Sequence, residues 1–383
     1  MKLQLRLSRA AVVLAAAALG VGVAACGSSD DTASDTGSAT ASGGSTSTAA
    51  AGGALEQTAA FKQMVAAAQK EGALNLNWGF SSPDSAGALT DAFNKQFPDI
   101  KVTITPNQDQ PANTAKLIEE AKAGKPSSTD AFVAVPQLIF AAGPGGANVL
   151  EKVDWAAIAP SAETSVTADG AALAIFDQYS TFAYNSGQFT DADLPKTADD
   201  VLKLKQPIAS TPYAAQFNVL GAPDAMGKQG VEDYVKAFQP AGFIGCGDLS
   251  RVASGEFAAL WINCGANVTE IFAEKGAPLK NAVLQDAAVT YPWYGAIPTN
   301  SAHPNAAKLW VAWLDSPEAQ QILFDKEKAD NVRIDGSQTA KQLSDYEAQG
   351  VTFTNADYDF VAKNQDIYSR EFSGQLIGLL TKK

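Results

Sequence analysis

His303 is the only histidine in a chain of 383 residues. Zinc sites of the H-E-x-x-H type, and any site built from several imidazoles, are thereby excluded. The sequence also lacks a G-x-S-x-G elbow and an S-x-x-K pair, two common settings for a nucleophilic serine. A triad around His303 stays formally open, but the residue stands in SAHPNAAK, just before an expected helix start, and a general base needs a positioned orienting partner. Carboxylates are plentiful without a spacing that pairs them, so a cell-surface hydrolase using paired carboxylates is an alternative with no residue to name. The chain is better supplied for binding: aromatic rings stand beside Ser, Asn and Gln where strands are expected to end.

Open α/β sheets hold ligands beyond the carboxyl ends of their strands. That rule selects Trp78, Ser81 and Ser82 after ALNLN, Gln137 after DAFVAVP, Tyr213 after QPIAS and Asn263 after FAALWI. Trp78 on a polar loop suits a half-wet ligand platform. Trp310 and Trp313 fall on an amphipathic helix and are expected in the core. Trp293 and Tyr294, between Pro292 and Gly295, and Asp177 and Tyr179, in the extended run LAIFDQYSTFAYNS, complete the candidate binding set.

The elements that must position these residues alternate. A helical pattern places Phe61, Met64, Val65 and Ala68 on one face and stops at Gly72; a strand follows, then a helix carrying Leu89, Phe93 and Phe97 that Ser82 or Asp84 can cap. KVTITP, NTAKLIEEAKAG and DAFVAVP continue the strand–helix–strand order. The fold class expected is α/β, a mostly parallel sheet covered by helices, and the length of the body asks for two lobes rather than one core.

Upstream of this body, Lys2, Arg6 and Arg9 precede AAVVLAAAALGVGVAA, the pattern of a secretory signal over residues 1–25. Val23-Ala24-Ala25-Cys26 resembles the bacterial lipobox, so Cys26 is expected to receive lipid and to anchor the mature chain to the outer face of the cell membrane. Residues 26–53 are Ser, Thr, Ala, Gly and Asp, too polar to pack, and are expected to form a disordered tether. The net charge is −13, and removal of the leader's three cations makes the mature chain more acidic still. No nucleic-acid partner is expected on that ground. Cys246 and Cys264 remain as an even pair in an oxidising compartment, which favours a disulfide; two buried free thiols are the other reading.

AFNKQFPDIKVTI, IEEAKAGK, DAFVAVP, YSTFAYNS, RVASGEFAALW, EKGAPL and NSAHPNAAKLWVAWLDSPEAQ, in that order, resemble the solute-binding lipoproteins of ABC importers, and more narrowly the type II periplasmic binding proteins that include ferric-iron, thiamine, phosphonate and polyamine binders. The resemblance implies a two-lobed type II fold with the ligand cleft between lobes and crossovers near 177–184 and 289–296. Lobe one would comprise 54–178 with 290–330, and lobe two 179–289 with 331–383. It further implies a monomer that closes on a small organic solute and docks onto an ABC transporter permease, with neither enzymatic activity nor cofactor. Ferric-binding members carry paired tyrosines after the strand matching FAALWIN; Cys264-Gly265-Ala266 stands there in this chain, so no metal site is expected and a ferric-iron-binding member is the alternative. Asp177 and the aromatics lean towards a cationic or zwitterionic solute.

Overall fold

The computed structural model describes residues 58–214 and 216–382. The signal segment, lipidated Cys26 and tether expected from the sequence lie outside the described residues. Among the described residues twelve strands are formed: β1 (Ala73–Asn77), β2 (Lys101–Thr105), β3 (Phe132–Ala134), β4 (Val166–Thr167), β5 (Ala172–Tyr179), β6 (Thr181–Asn185), β7 (Ile208–Ser210), β8 (Gly242–Phe243), β9 (Ala259–Asn263), β10 (Leu279–Ala282), β11 (Ala288–Ala296) and β12 (Phe353–Asn355).

Local physics accounts for the opening units. The helix Ala59–Glu71 begins where Thr58 Oγ1 accepts from Phe61 N at 3.0 Å, and it buries Phe61, Met64 and Ala68 at the expected helical spacing. β1 follows and pairs in parallel with β2, from Ala73↔Lys101 to Asn77↔Thr105. The helix between them, Ser85–Gln96, sets Phe93 edge-on against Trp310 and Trp313 at ring separations of 5.0 and 5.4 Å. Both tryptophans belong to the core, as their helical spacing predicts.

Neither Ser82 nor Asp84 caps that helix through its side chain. Glu327, 245 residues further along, accepts from Ser82 N at 3.0 Å, from Ser81 N at 2.8 Å and from Ser85 Oγ. Burial raises the Glu327 carboxyl above its usual range while these donors oppose the shift.

Two sheets organise the body. In one, β11 runs antiparallel to β5 and to β3, β4 borders β5, and β12 joins β11 in parallel; a single parallel bridge, Leu76↔Ala131, links β1 to the start of β3. In the other, the order is β10-β6-β9-β7-β8, with β7 parallel to β8 and β9 and β6 antiparallel to both its neighbours. The pairs β1–β2, β7–β9 and β7–β8 are parallel, as expected of βα units, but five of the nine pairings between these strands are antiparallel, so the sheets are mixed rather than mostly parallel. The antiparallel pairs come from the long strands that pass from one sheet to the other.

Those connections lie side by side. β5 enters β6 with Ser180 alone between them, and the chain returns through β10 and β11. Ser180 N donates to Val289 O at 2.8 Å and Val289 N to Ser180 Oγ at 3.0 Å, which pins the two connections together. The C-terminal region divides between the halves: β12 pairs with β11 and Tyr358 packs on Phe140, whereas the final helix Arg370–Thr381 buries Phe372, Leu376 and Leu380 in the core of the second sheet. Residues 353–355 and Tyr358 thus contact elements of the first half, although the resemblance assigns 331–383 to lobe two. Their contacts with the first sheet come from residues far apart in sequence, which no local pattern reveals.

Candidate functional site

The carboxyl end of β1 delivers Asn77, Trp78 and Gly79 to a small cavity. Asn77 N donates to Thr129 Oγ1 at 3.0 Å and its Nδ2 to Ser128 O at 3.1 Å, which holds the segment before β3 against β1. The turn after β2 approaches so closely that a Cβ on Gly79 would lie 2.6 Å from Asn107 O and 2.7 Å from Gln108 Oε1, so only glycine fits. The amides of Asn107, Gln110 and Asn113 line the cavity together with the rings of Phe132 and Trp293. Its volume is about 10 Å³, room for roughly one water.

The second half meets this loop across a hydrogen bond. Gly265 opens the helix Ala266–Glu274 without a side-chain cap, and Asn267 in its first turn donates from Nδ2 to Ser81 Oγ at 3.1 Å. The two connecting strands form the floor beside this contact. Gln178 Oε1 accepts from Trp293 Nε1 at 3.1 Å, and the Tyr291 hydroxyl sits between Gln178 Oε1, at 2.9 Å, and the Cys264 carbonyl. Burial holds the Tyr291 phenol well above its usual range, with Tyr213 and Gln216 close enough to influence it. Tyr213 OH accepts from Cys246 N at 2.8 Å, and Cys246 and Cys264 face each other with Cα atoms 5.4 Å apart, within disulfide span.

The sequence-selected residues separate into two groups. Ser81, Tyr213 and Trp293 stand around the junction between the halves. Trp78 lines the cavity but is 2% exposed and packs on Phe80 at a ring separation of 4.2 Å; it belongs to the core that supports the loop and is not a free stacking platform. The Ser82 backbone is committed to Glu327, and Asn263, fully buried, braces its own helix by donating to Gly265 O at 2.8 Å and Thr269 Oγ1 at 3.1 Å. Gln137 is exposed on the first turn of the helix Pro136–Ala142, outside the cavity lining.

Asp177, Tyr179 and Tyr294 take the opposite face of the strands, because successive residues of a strand alternate sides. Asp177 accepts from Arg333 Nη1 at 2.9 Å and from Val332 N at 3.2 Å; burial raises its carboxyl and the guanidinium opposes the shift. It is no free counter-charge for a cationic solute. Tyr179 OH faces Gln342, and Tyr294 OH accepts from Tyr358 N at 3.3 Å.

Gln178, Tyr291 and Asn267 were not selected by the strand-end rule. The alternation Gln178/Tyr179 and Tyr291/Trp293 was the available signal, since Tyr291 and Gln178 are direct cross-strand partners. His303 Nδ1 lies 2.8 Å from Asp130 Oδ2, while Ser301 Oγ donates to Asp130 rather than to the imidazole. The histidine thus ties a loop to β3, and its bonding is not that of a triad. Among the described residues no group of three His, Cys, Asp or Glu is placed to hold a metal ion.

Several solved structures share this architecture. The substrate-binding protein of an ABC transporter from Agrobacterium tumefaciens is similar with a TM-score of 0.66 at 18% identity, over 80% of this chain and 94% of that one. AfuA from Actinobacillus pleuropneumoniae, a periplasmic binding protein with fructose-6-phosphate bound, matches with a TM-score of 0.61 at 17% identity over 80% and 96%. Iron-bound HitA from Pseudomonas aeruginosa matches with a TM-score of 0.56 at 17% identity over 69% and 88%. A search of curated protein sequences finds no match. The model of the family described as bacterial extracellular solute-binding protein matches residues 88–329, and the chain belongs to that family.

Proposed function

We propose that this chain captures a small organic solute between its two sheets, outside the cytoplasmic membrane, and delivers it to the permease of an ABC importer while a lipid on Cys26 keeps it at the cell surface. The observation that carries this reading is the convergence of Ser81 from one half and Asn267 from the other over the neutral floor of Gln178, Tyr291 and Trp293. A cavity of about 10 Å³ admits no organic solute, so the halves must part for loading. The motion has its pivot at Ser180 and Val289, where both connections are pinned together, and the solute shifts the open–closed balance by touching both halves. No covalent step is needed.

Thermal unfolding of the mature chain against a broad metabolite panel tests this. A true solute at 100-fold its Kd stabilises by about 2.7 kcal/mol. Stabilisation by ferric citrate alone, with a visible charge-transfer band, would overturn the organic-solute reading. Retention of a Cys26→Ala variant on membranes at the level of the wild type would overturn the anchor.

A further inference from the structure

Among the described residues no ionised side chain lines the cavity. Charges on the surrounding elements are already engaged: Glu327 holds the backbone of Ser81 and Ser82, Asp109 caps its helix at Ala112 N, Asp177 pairs with Arg333 on the other face, and Glu270, in the helix of Asn267, lies with Gln342, Tyr179 and Lys328. A charged solute held between the parted halves against these residues would lose its hydration without gaining a counter-charge.

Two buried amide oxygens have no protein partner: Gln110 Oε1, on a residue that lines the cavity, and Asn267 Oδ1, on the residue that donates to Ser81 Oγ across the junction of the halves. Asn267 is 2% exposed, and its Oδ1 lies where a Cβ on Gly265 would come within 2.5 Å, at the opening of the helix Ala266–Glu274. The backbone N–H groups that start a helix are donors without an intrahelical partner. An amide oxygen beside such donors asks for a group that both gives and accepts a proton. A hydroxyl does both, and it completes the half-bonded Asn267 amide in either orientation. A carboxylate or phosphate would satisfy the donors and set its charge against Oδ1; an ammonium would do the reverse. Half-buried Trp293 adds an apolar surface next to these polar ends.

Resting on the cleft reading above, we propose that the solute is an uncharged polyhydroxylated molecule, a neutral sugar or polyol, whose hydroxyls complete Asn267 and Gln110 and whose C–H face packs on Trp293. The test titrates the mature chain calorimetrically with neutral mono- and disaccharides and inositols, and with charged versions of the same scaffolds: glucose 6-phosphate, glucuronate and glucosamine. At least one neutral probe is expected to bind saturably, and its charged versions at least tenfold more weakly. Asn267→Ala should reduce affinity for that probe at least tenfold. Gln110→Ala, on a half-buried helix start, supplies the same readout if Asn267→Ala lowers the melting temperature. Tighter binding by the charged versions, or binding by none of these probes, would overturn the uncharged class. The cleft reading is judged separately by the broad metabolite panel, so the two failures are distinguishable.

Discussion

On one face of the paired strands β5 and β11, Gln178, Tyr291 and Trp293 share a neutral network with bonding capacity left over beside it at Asn267. On the other face, one residue away along the same strands, Asp177 is locked to Arg333 and Val332, while Asp330 accepts from Gln338 N and Thr339 N at 2.8 Å each and Asn331 Nδ2 reaches Ser165 Oγ and Asp315 Oδ1 at 2.9 and 3.1 Å. The contrast separates two uses of polarity. A saturated network holds structure in place, and removing Arg333 from it strands the buried Asp177 carboxylate. A neutral, incompletely bonded surface holds little by itself and is available to a solute.

The largest effect should come from breaking the saturated face. Arg333→Ala leaves the Asp177 carboxylate buried and unpaired and should lower stability by about 4 kcal/mol, seen as an earlier urea midpoint. A loss below about 1 kcal/mol would show that the ion pair is not a structural anchor.

Next is the Cys246–Cys264 pair, which ties the Tyr213 contact to the start of the helix bearing Asn267. If the bridge forms in the mature chain, alkylation under denaturing, non-reducing conditions labels neither thiol, and reduction costs about 3 kcal/mol by the loop-entropy account. Two labelled cysteines would remove the bridge from the description.

Asp315 gives a smaller, pH-dependent effect. Burial raises its carboxyl from 3.8 to about 6, against the hydrogen bonds of Asn331 and Ser165. The unfolded chain releases that proton first, so this group lowers stability as pH rises from about 4 to about 6 and keeps it low above that. Asp315→Asn should remove the slope and raise stability at pH 7.5 by about 2 kcal/mol. Identical pH profiles for variant and wild type would contradict the buried-acid assignment.

Much of the fold was legible because its signals are local: the spacing of Phe61, Met64 and Ala68, the pairing capacity of KVTIT with ALNLN, and the long apolar runs that became β5 and β11. The site was only partly legible. Strand-end position found Ser81 and the crossover between Pro292 and Gly295 gave Trp293, but the face that Asp177 takes is decided by Arg333, 156 residues later. The burial of Trp78 likewise follows from core packing rather than from its own loop. Period-two alternation says that Asp177 and Gln178 diverge; it does not say which of them meets the solute.

Binding itself decides between the faces. With the compound that most stabilises the mature chain as titrant, calorimetry on Gln178→Ala and Tyr294→Phe sets one substitution on each face. Affinity is predicted to fall at least tenfold in Gln178→Ala and to stay within twofold of wild type in Tyr294→Phe. The reverse pattern, or equal losses in both, would contradict the assignment of the Gln178–Tyr291–Trp293 face as the solute site.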